Sequence, residues 1–169
     1  TSGILILAKK RLALVELQEQ IKKNQITKEY FALTLGAWRD EKRNVKAPIY
    51  KYTNKDGERR VRIDQELGQF SHTIFTLKKK YAEFSLVNAD LQTGRTHQIR
   101  IHLQYLGFPI AGDDKYGNFE QNKLLAKQGL KRMFLHAHHV KFMHPMTQQT
   151  LEVNCPLAPE LASFLSKLS

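Results

Sequence analysis

Thr73-Ile74-Phe75-Thr76-Leu77-Lys78-Lys79-Lys80-Tyr81-Ala82-Glu83-Phe84-Ser85-Leu86-Val87 contains two runs of β-branched and aromatic residues, 73–77 and 81–87, split by three lysines. Two such runs joined by so short a polar link predict neighbouring antiparallel strands, with Lys78-Lys79-Lys80 as the turn. Downstream, Thr96 to Leu106 sets Ile99, Leu103 and Leu106 on one helical stripe and stops at Gly107. Phe134–Met143 and Thr150–Val153 read as strands either side of a Pro145 turn, and Pro159–Leu168 as a closing helix. Upstream, Tyr30–Trp38 is a further strand, and residues 39–70 form a polar hairpin excursion turning at Asn54-Lys55-Asp56-Gly57. Lys10–Lys23 carries Leu12, Val15, Leu17 and Ile21 at roughly helical spacing, and the short apolar run Gly3–Ala8 predicts a buried strand. The sum is α+β: a mainly antiparallel mixed sheet flanked by helices, one domain over residues 1–169.

The composition narrows the partner. The net charge is +11, and its surplus of Lys and Arg sits in both ends of the chain while the middle third is balanced. A folded domain with a positive surface favours a polyanion, although charge alone does not separate RNA from DNA or anionic lipid. The longest apolar run, Ile4–Ala8, is far short of the ~20 residues of a membrane helix, so no membrane role is expected. Cys155, the only cysteine, rules out an internal disulfide and points to a reducing compartment, the cytoplasm. Lying in Val153-Asn154-Cys155-Pro156 at an apolar strand end, it reads as a buried structural thiol.

Chemistry concentrates in Thr93-Gly94-Arg95-Thr96-His97-Gln98-Ile99-Arg100-Ile101-His102. A glycine leading into a helix rich in Arg, Thr and His can present N–H groups and cations to a phosphate. Arg100, bordered by Ile99 and Ile101, is costly at the edge of a core unless a carboxylate or phosphate meets it. His136, His138 and His139 raise the question of a metal. No HExxH, second cysteine or carboxylate-rich loop supplies the remaining ligands, so structural or RNA-facing histidines and no metal are expected. Asp113 and Asp114, as neighbours on an extended chain, point opposite ways and suit turn and loop-capping roles better than a paired-carboxylate site.

Gly94-Arg95-Thr96-His97-Gln98-Ile99-Arg100-Ile101-His102 is followed in order by Gly107-Phe108-Pro109-Ile110-Ala111-Gly112-Asp113, Tyr116-Gly117, Phe134-Leu135-His136-Ala137 and His144-Pro145. Along nearly the whole chain this series resembles the RluA-type family of pseudouridine synthases. Thr1-Ser2-Gly3 and Lys28-Glu29-Tyr30 fit the same family. The resemblance implies a cofactor-free isomerisation of uridine to pseudouridine in RNA, with large-subunit ribosomal RNA as the partner, in a monomer that an N-terminal RNA-binding domain outside this chain can precede. It implies that Arg100 pairs with and orients the essential aspartate, that Tyr30 stacks on the target uracil as a candidate proton acceptor, and that Leu135 walls the ring. Arg95, Lys115 and Arg132 are the expected phosphate contacts, on charge and nearness to the motifs.

The family's aspartate belongs to a His-Arg-Leu-Asp motif three residues before the Thr that corresponds to Thr1. It is absent from these 169 residues, and the polypeptide as written is expected to be inactive. A further departure is Gly68-Gln69-Phe70-Ser71-His72-Thr73, which lacks the lysine of many relatives and is one residue longer. The alternatives are a non-catalytic RNA-binding module and, third, a metal-dependent nuclease.

Overall fold

A computed structural model describes residues 1–168. Its main sheet has seven strands in the order β1(Ser2–Gly3), β8(Leu135–Met143), β2(Thr27–Leu35), β7(Phe84–Leu91), β6(His72–Lys80), β3(Lys42–Lys46), with β9(Thr150–Asn154) also on β8. All pairings are antiparallel except β1 with β8. β4(Ile49–Thr53) and β5(Arg59–Ile63) form a separate two-stranded hairpin turning at Asn54–Gly57. Four helices complete it: α1(Arg11–Lys22), α2(Gln98–Tyr105), α3(Phe119–Lys127) and α4(Pro159–Leu165). No helix among the described residues is long and apolar enough to cross a membrane.

The α+β class and the antiparallel pairing of 73–77 with 81–87 match the expectation, but the turn moves. Lys78–Lys80 belong to β6, and the chain reverses at Tyr81–Glu83, where the Tyr81 N–H bonds the Phe84 carbonyl. Strand alternation gives Phe75 and Ala89 to one face of the sheet and Phe84 to the other. α2 packs Ile99 and Leu103 into the core with the first pair, while Phe164 of α4 meets Phe84 edge-on. Both faces are thereby covered, and the core is continuous through the sheet.

Two expectations, Gly3–Ala8 and Cys155, need correction. Gly3–Ala8 is not a buried strand: only Ser2 and Gly3 pair with β8, and Leu5 and Leu7 are each 78% exposed. β9 occupies the same edge of β8 from His139 onward, so β1 finds free partners only at His136 and Ala137. The helix expected over Lys10–Lys23 forms as α1, with Leu12, Val15 and Ile21 exposed. That helix is seated by Leu17 and by Gln20, whose amide bonds both the carbonyl and the N–H of Met143. Cys155 is half-buried rather than buried. Helix α3 escaped the sequence reading, although Asn118 caps it by accepting the Gln121 N–H at 3.1 Å.

His102 shows how α2 is fastened to the sheet. Fully buried, it lies 2.9 Å from Thr73 Oγ1 through Nδ1, and 2.9 Å from Ser71 Oγ and 3.0 Å from the Ala47 carbonyl through Nε2. Burial lowers its pKa, with the Ala47 bond opposing. A histidine held neutral in the fold but free to protonate when unfolded makes stability fall as pH drops below the unfolded value near 6.5. The loss for this one proton is bounded by ~1.4 kcal/mol per pH unit. Urea midpoints at pH 7.5, 6.5 and 5.5 should show the decline, and His102→Gln should flatten it; equal slopes in the two proteins would contradict this role.

Candidate active site

The segment 93–100 turns from β7 into α2 through a dense set of local bonds. His97 takes a left-handed conformation (φ 53°) at the helix start, and its Nδ1 lies 2.9 Å from the Tyr116 hydroxyl. Buried Gln98 works as a clamp: its Oε1 accepts from Thr93 Oγ1 at 2.7 Å and from the Arg95 N–H at 2.9 Å. Its Nε2 donates to the His72 carbonyl and to Thr73 Oγ1, each at 2.9 Å. The helix start is therefore bound to β6, and the residues after it inherit a fixed direction.

Arg100 sits on the first turn of α2. Its Nε donates to Asp113 Oδ2 at 2.8 Å and its Nη2 to Asp113 Oδ1 at 2.6 Å, a fork-to-carboxylate pair, with Asp114 Oδ1 a further 3.3 Å contact. Asp113 is 1% exposed and also accepts the N–H groups of Lys115 and Tyr116. Burial pushes the Asp113 carboxyl up, but the Arg100 bond and the two N–H groups outweigh it and hold the pKa below the usual carboxylate value. Burial likewise pulls Arg100 down, and Asp113 more than restores it. The guanidinium also lies 5.0 Å over the Tyr116 ring. Asp113 and Asp114 thus converge on one nitrogen, which the extended-chain reading had excluded: the chain turns at Asp113, whose carboxylate caps that turn.

Tyr30 lies in β2, where a bulge in the pairing with β8 falls between Glu29 and Tyr30. Its register partners are Ala89 on one side and Ala137 on the other, so small neighbours leave room over the sheet for its ring. Leu135 enters β8 opposite Ala32, on the same face. Tyr30, Leu135, Arg95 and Arg100 line one open cleft of about 640 Å³, whose other walls include Thr1, Ser2, Leu91 and His97. Burial raises the Tyr30 pKa, so the phenol is neutral at physiological pH.

The remaining expected cations are engaged elsewhere. Lys115 pairs with Glu58 of the hairpin at 2.6 Å, and Arg132 with Glu160 at 2.8 Å. Arg95 donates through Nε to the Phe70 carbonyl at 3.1 Å at the lip of the cleft. The histidines near β8 have ordinary partners. His136 bonds Ser2 Oγ, His138 stacks on Phe31 with ring centroids 3.7 Å apart, and His139 Nε2 meets Glu152 at 3.0 Å. No group of three His, Cys, Asp or Glu suited to a metal ion occurs among the described residues.

The hairpin contributes features the sequence reading passed over. Tyr116 reaches β5 by accepting the Val61 N–H at 3.0 Å, and Ile49, Val61, Ile101 and Tyr116 form a small core beneath it. On its surface Arg62 lies 5.3 Å over the Tyr50 ring and 5.8 Å over Tyr52. Alternating Tyr50-Lys51-Tyr52 was the available signal.

A family model described as RNA pseudouridylate synthase matches residues 1–105. The ribosomal large subunit pseudouridine synthase C of Pasteurella multocida is 46% identical over 168 residues, covering 99% of this chain and 51% of that protein. The protein of the same name from Escherichia coli K12 is 45% identical over 170 residues, covering 99% and 53%. The chain thus spans about half the length of the curated relatives it matches. Among solved structures, human RNA pseudouridylate synthase domain containing 1 superposes with a TM-score of 0.74 at 26% identity, over 93% of this chain and 66% of that one. Human RNA pseudouridylate synthase domain containing 4, at 22% identity, shares the fold with a TM-score of 0.76 over 99% of this chain and 72% of that one.

Proposed function

Because this chain belongs to the RNA pseudouridylate synthase family, we propose that its protein converts uridine to pseudouridine in RNA, with large-subunit ribosomal RNA in the cytoplasm as the substrate. The observation that carries this reading is the meeting of Tyr30, Arg100 and Leu135 in one cleft, three residues drawn from β2, α2 and β8. Such a cleft suits a uracil turned out of its RNA stack and held between an aromatic ring and an apolar wall while its glycosidic bond breaks.

In this proposal the chemistry needs no cofactor, and Arg100 is the electrostatic centre. Asp113 occupies its Nε and Nη2, which aims the guanidinium and leaves Nη1 for the reaction. In a polypeptide carrying the family's His-Arg-Leu-Asp motif, the aspartate three residues before Thr1 is within ~10 Å of it, and Thr1 itself lines the cleft. That aspartate would complete the site beside Arg100. Tyr30, a phenol whose pKa burial raises further above its ordinary value, is better suited to stacking and donating a hydrogen bond than to accepting a proton. The Tyr50 and Tyr52 rings of the hairpin, with Arg62 over them but paired with Asp64, would stack on unpaired bases, and Arg95 would grip the RNA backbone. Lys115 and Arg132, held by Glu58 and Glu160, would contribute less.

The test is a pseudouridine map of large-subunit ribosomal RNA from cells with and without the gene. Specific sites should vanish on deletion and return with the full-length gene. A map identical in the two strains defeats the enzyme reading and leaves a binding module.

A further inference from the structure

Lys28 is a half-buried cation that the site as described leaves unused. It stands two residues before Tyr30 on β2, so strand alternation sends both side chains to the cleft side of the sheet. Its Nζ ends 3.1 Å from the point where a Cβ on Gly94 would stand, against the loop that delivers Arg95 and Arg100. With Tyr30 and Ala137 it lines a cavity of about 160 Å³ that adjoins the main cleft, the two sharing those walls. Among the described residues no carboxylate pairs with it: neighbouring Glu29 faces the other way, toward Asn88 and His139. Burial lowers its pKa, and nothing in its surroundings opposes that.

A partly desolvated ammonium without a counter-charge is a standing cost that a bound anion removes. The compact charge of lysine on a flexible stem suits a phosphate oxygen rather than a planar carboxylate. It stands beside the proposed uracil-stacking ring and against the Gly94 loop that leads into Arg95. Resting on the RNA reading above, we propose that Lys28 binds a backbone phosphodiester of the target nucleotide and that the Gly94 position is kept free of a side chain so that it can.

The experiment uses the full-length protein and an unmodified large-subunit ribosomal RNA transcript as probe. Lys28→Met should raise KM about tenfold while kcat changes less than about threefold. It should also lower the slope of log Kd against log salt by about 0.7–0.9, the signature of one lost phosphate contact. Lys28→Arg should keep the slope, and Gly94→Ala, whose Cβ would crowd the ammonium at 3.1 Å, should raise KM by less than Lys28→Met and add nothing in the double variant. A Lys28→Met protein with the wild-type KM and salt slope overturns the inference. So does an equal loss in Lys28→Arg, which would mark a packing role. Absence of turnover and of RNA binding in the wild type would instead overturn the synthase reading itself, and this inference with it.

Discussion

Arg100→Ala in the full-length protein is expected to cut pseudouridine formation on ribosomal RNA by about a thousandfold, the size of loss seen when one preorganised charge is removed from a reaction centre. RNA affinity should fall less than about threefold, because affinity rests on cations dispersed over the hairpin and the cleft lip. Filter binding and single-turnover release at the same salt concentration separate the two quantities. The substitution also strands Asp113, which keeps the Lys115 and Tyr116 N–H groups but loses its only cation in the fork geometry. Arg100→Lys keeps a charge there without the fork, and should remain largely inactive while staying folded. Turnover at the wild-type rate in either variant would remove Arg100 from the chemistry.

Asp113→Ala carries the largest expected effect on stability. Asp113 is buried, and Arg100 is only 12% exposed, so deleting the carboxylate leaves a guanidinium and two N–H groups without their acceptor. Breaking one side of such a pair costs about 3–5 kcal/mol, which urea unfolding would read as a displaced midpoint. The depressed pKa of Asp113 sets the pH window. A carboxylate whose folded pKa lies below its unfolded value adds stability that is fully present above the unfolded pKa and is lost as pH falls through the folded one. The wild type should therefore weaken below about pH 3.9, and Asp113→Asn should lose that portion of the acid sensitivity. Turnover should drop in parallel, since Arg100 would no longer be aimed into the cleft. An Asp113→Ala protein within about 1 kcal/mol of the wild type would show that the pair contributes little, as exposed pairs do.

The sequence by itself determined the elements with strong periodicity. The two runs around Lys78–Lys80, the Ile99–Leu103–Leu106 stripe ending at Gly107 and the 134–153 strand pair all appear in the structure close to their expected bounds. Their signals are local, arising from alternation, helical spacing and a glycine stop. The ordered motifs from Gly94 to His144-Pro145 also carried the family, which the comparison over residues 1–105 supports.

What only the tertiary structure decided involves competition between distant segments. Gly3–Ala8 has the composition of a buried strand, yet β9 holds the edge of β8 that it would need. The stripe on α1 has helical spacing, yet the face that packs is set by Gln20 meeting Met143, 123 residues away in the chain. Asp113 looked like a turn residue and is one, but that same turn carries it to Arg100. Lys28 was legible only as part of Lys28-Glu29-Tyr30, since an unpaired charge is recognised only by what fails to surround it. Local propensity can be read along a chain, whereas which edge is free, which carboxylate meets which guanidinium and which cation is left alone depend on contacts that exist only after the sheet has formed.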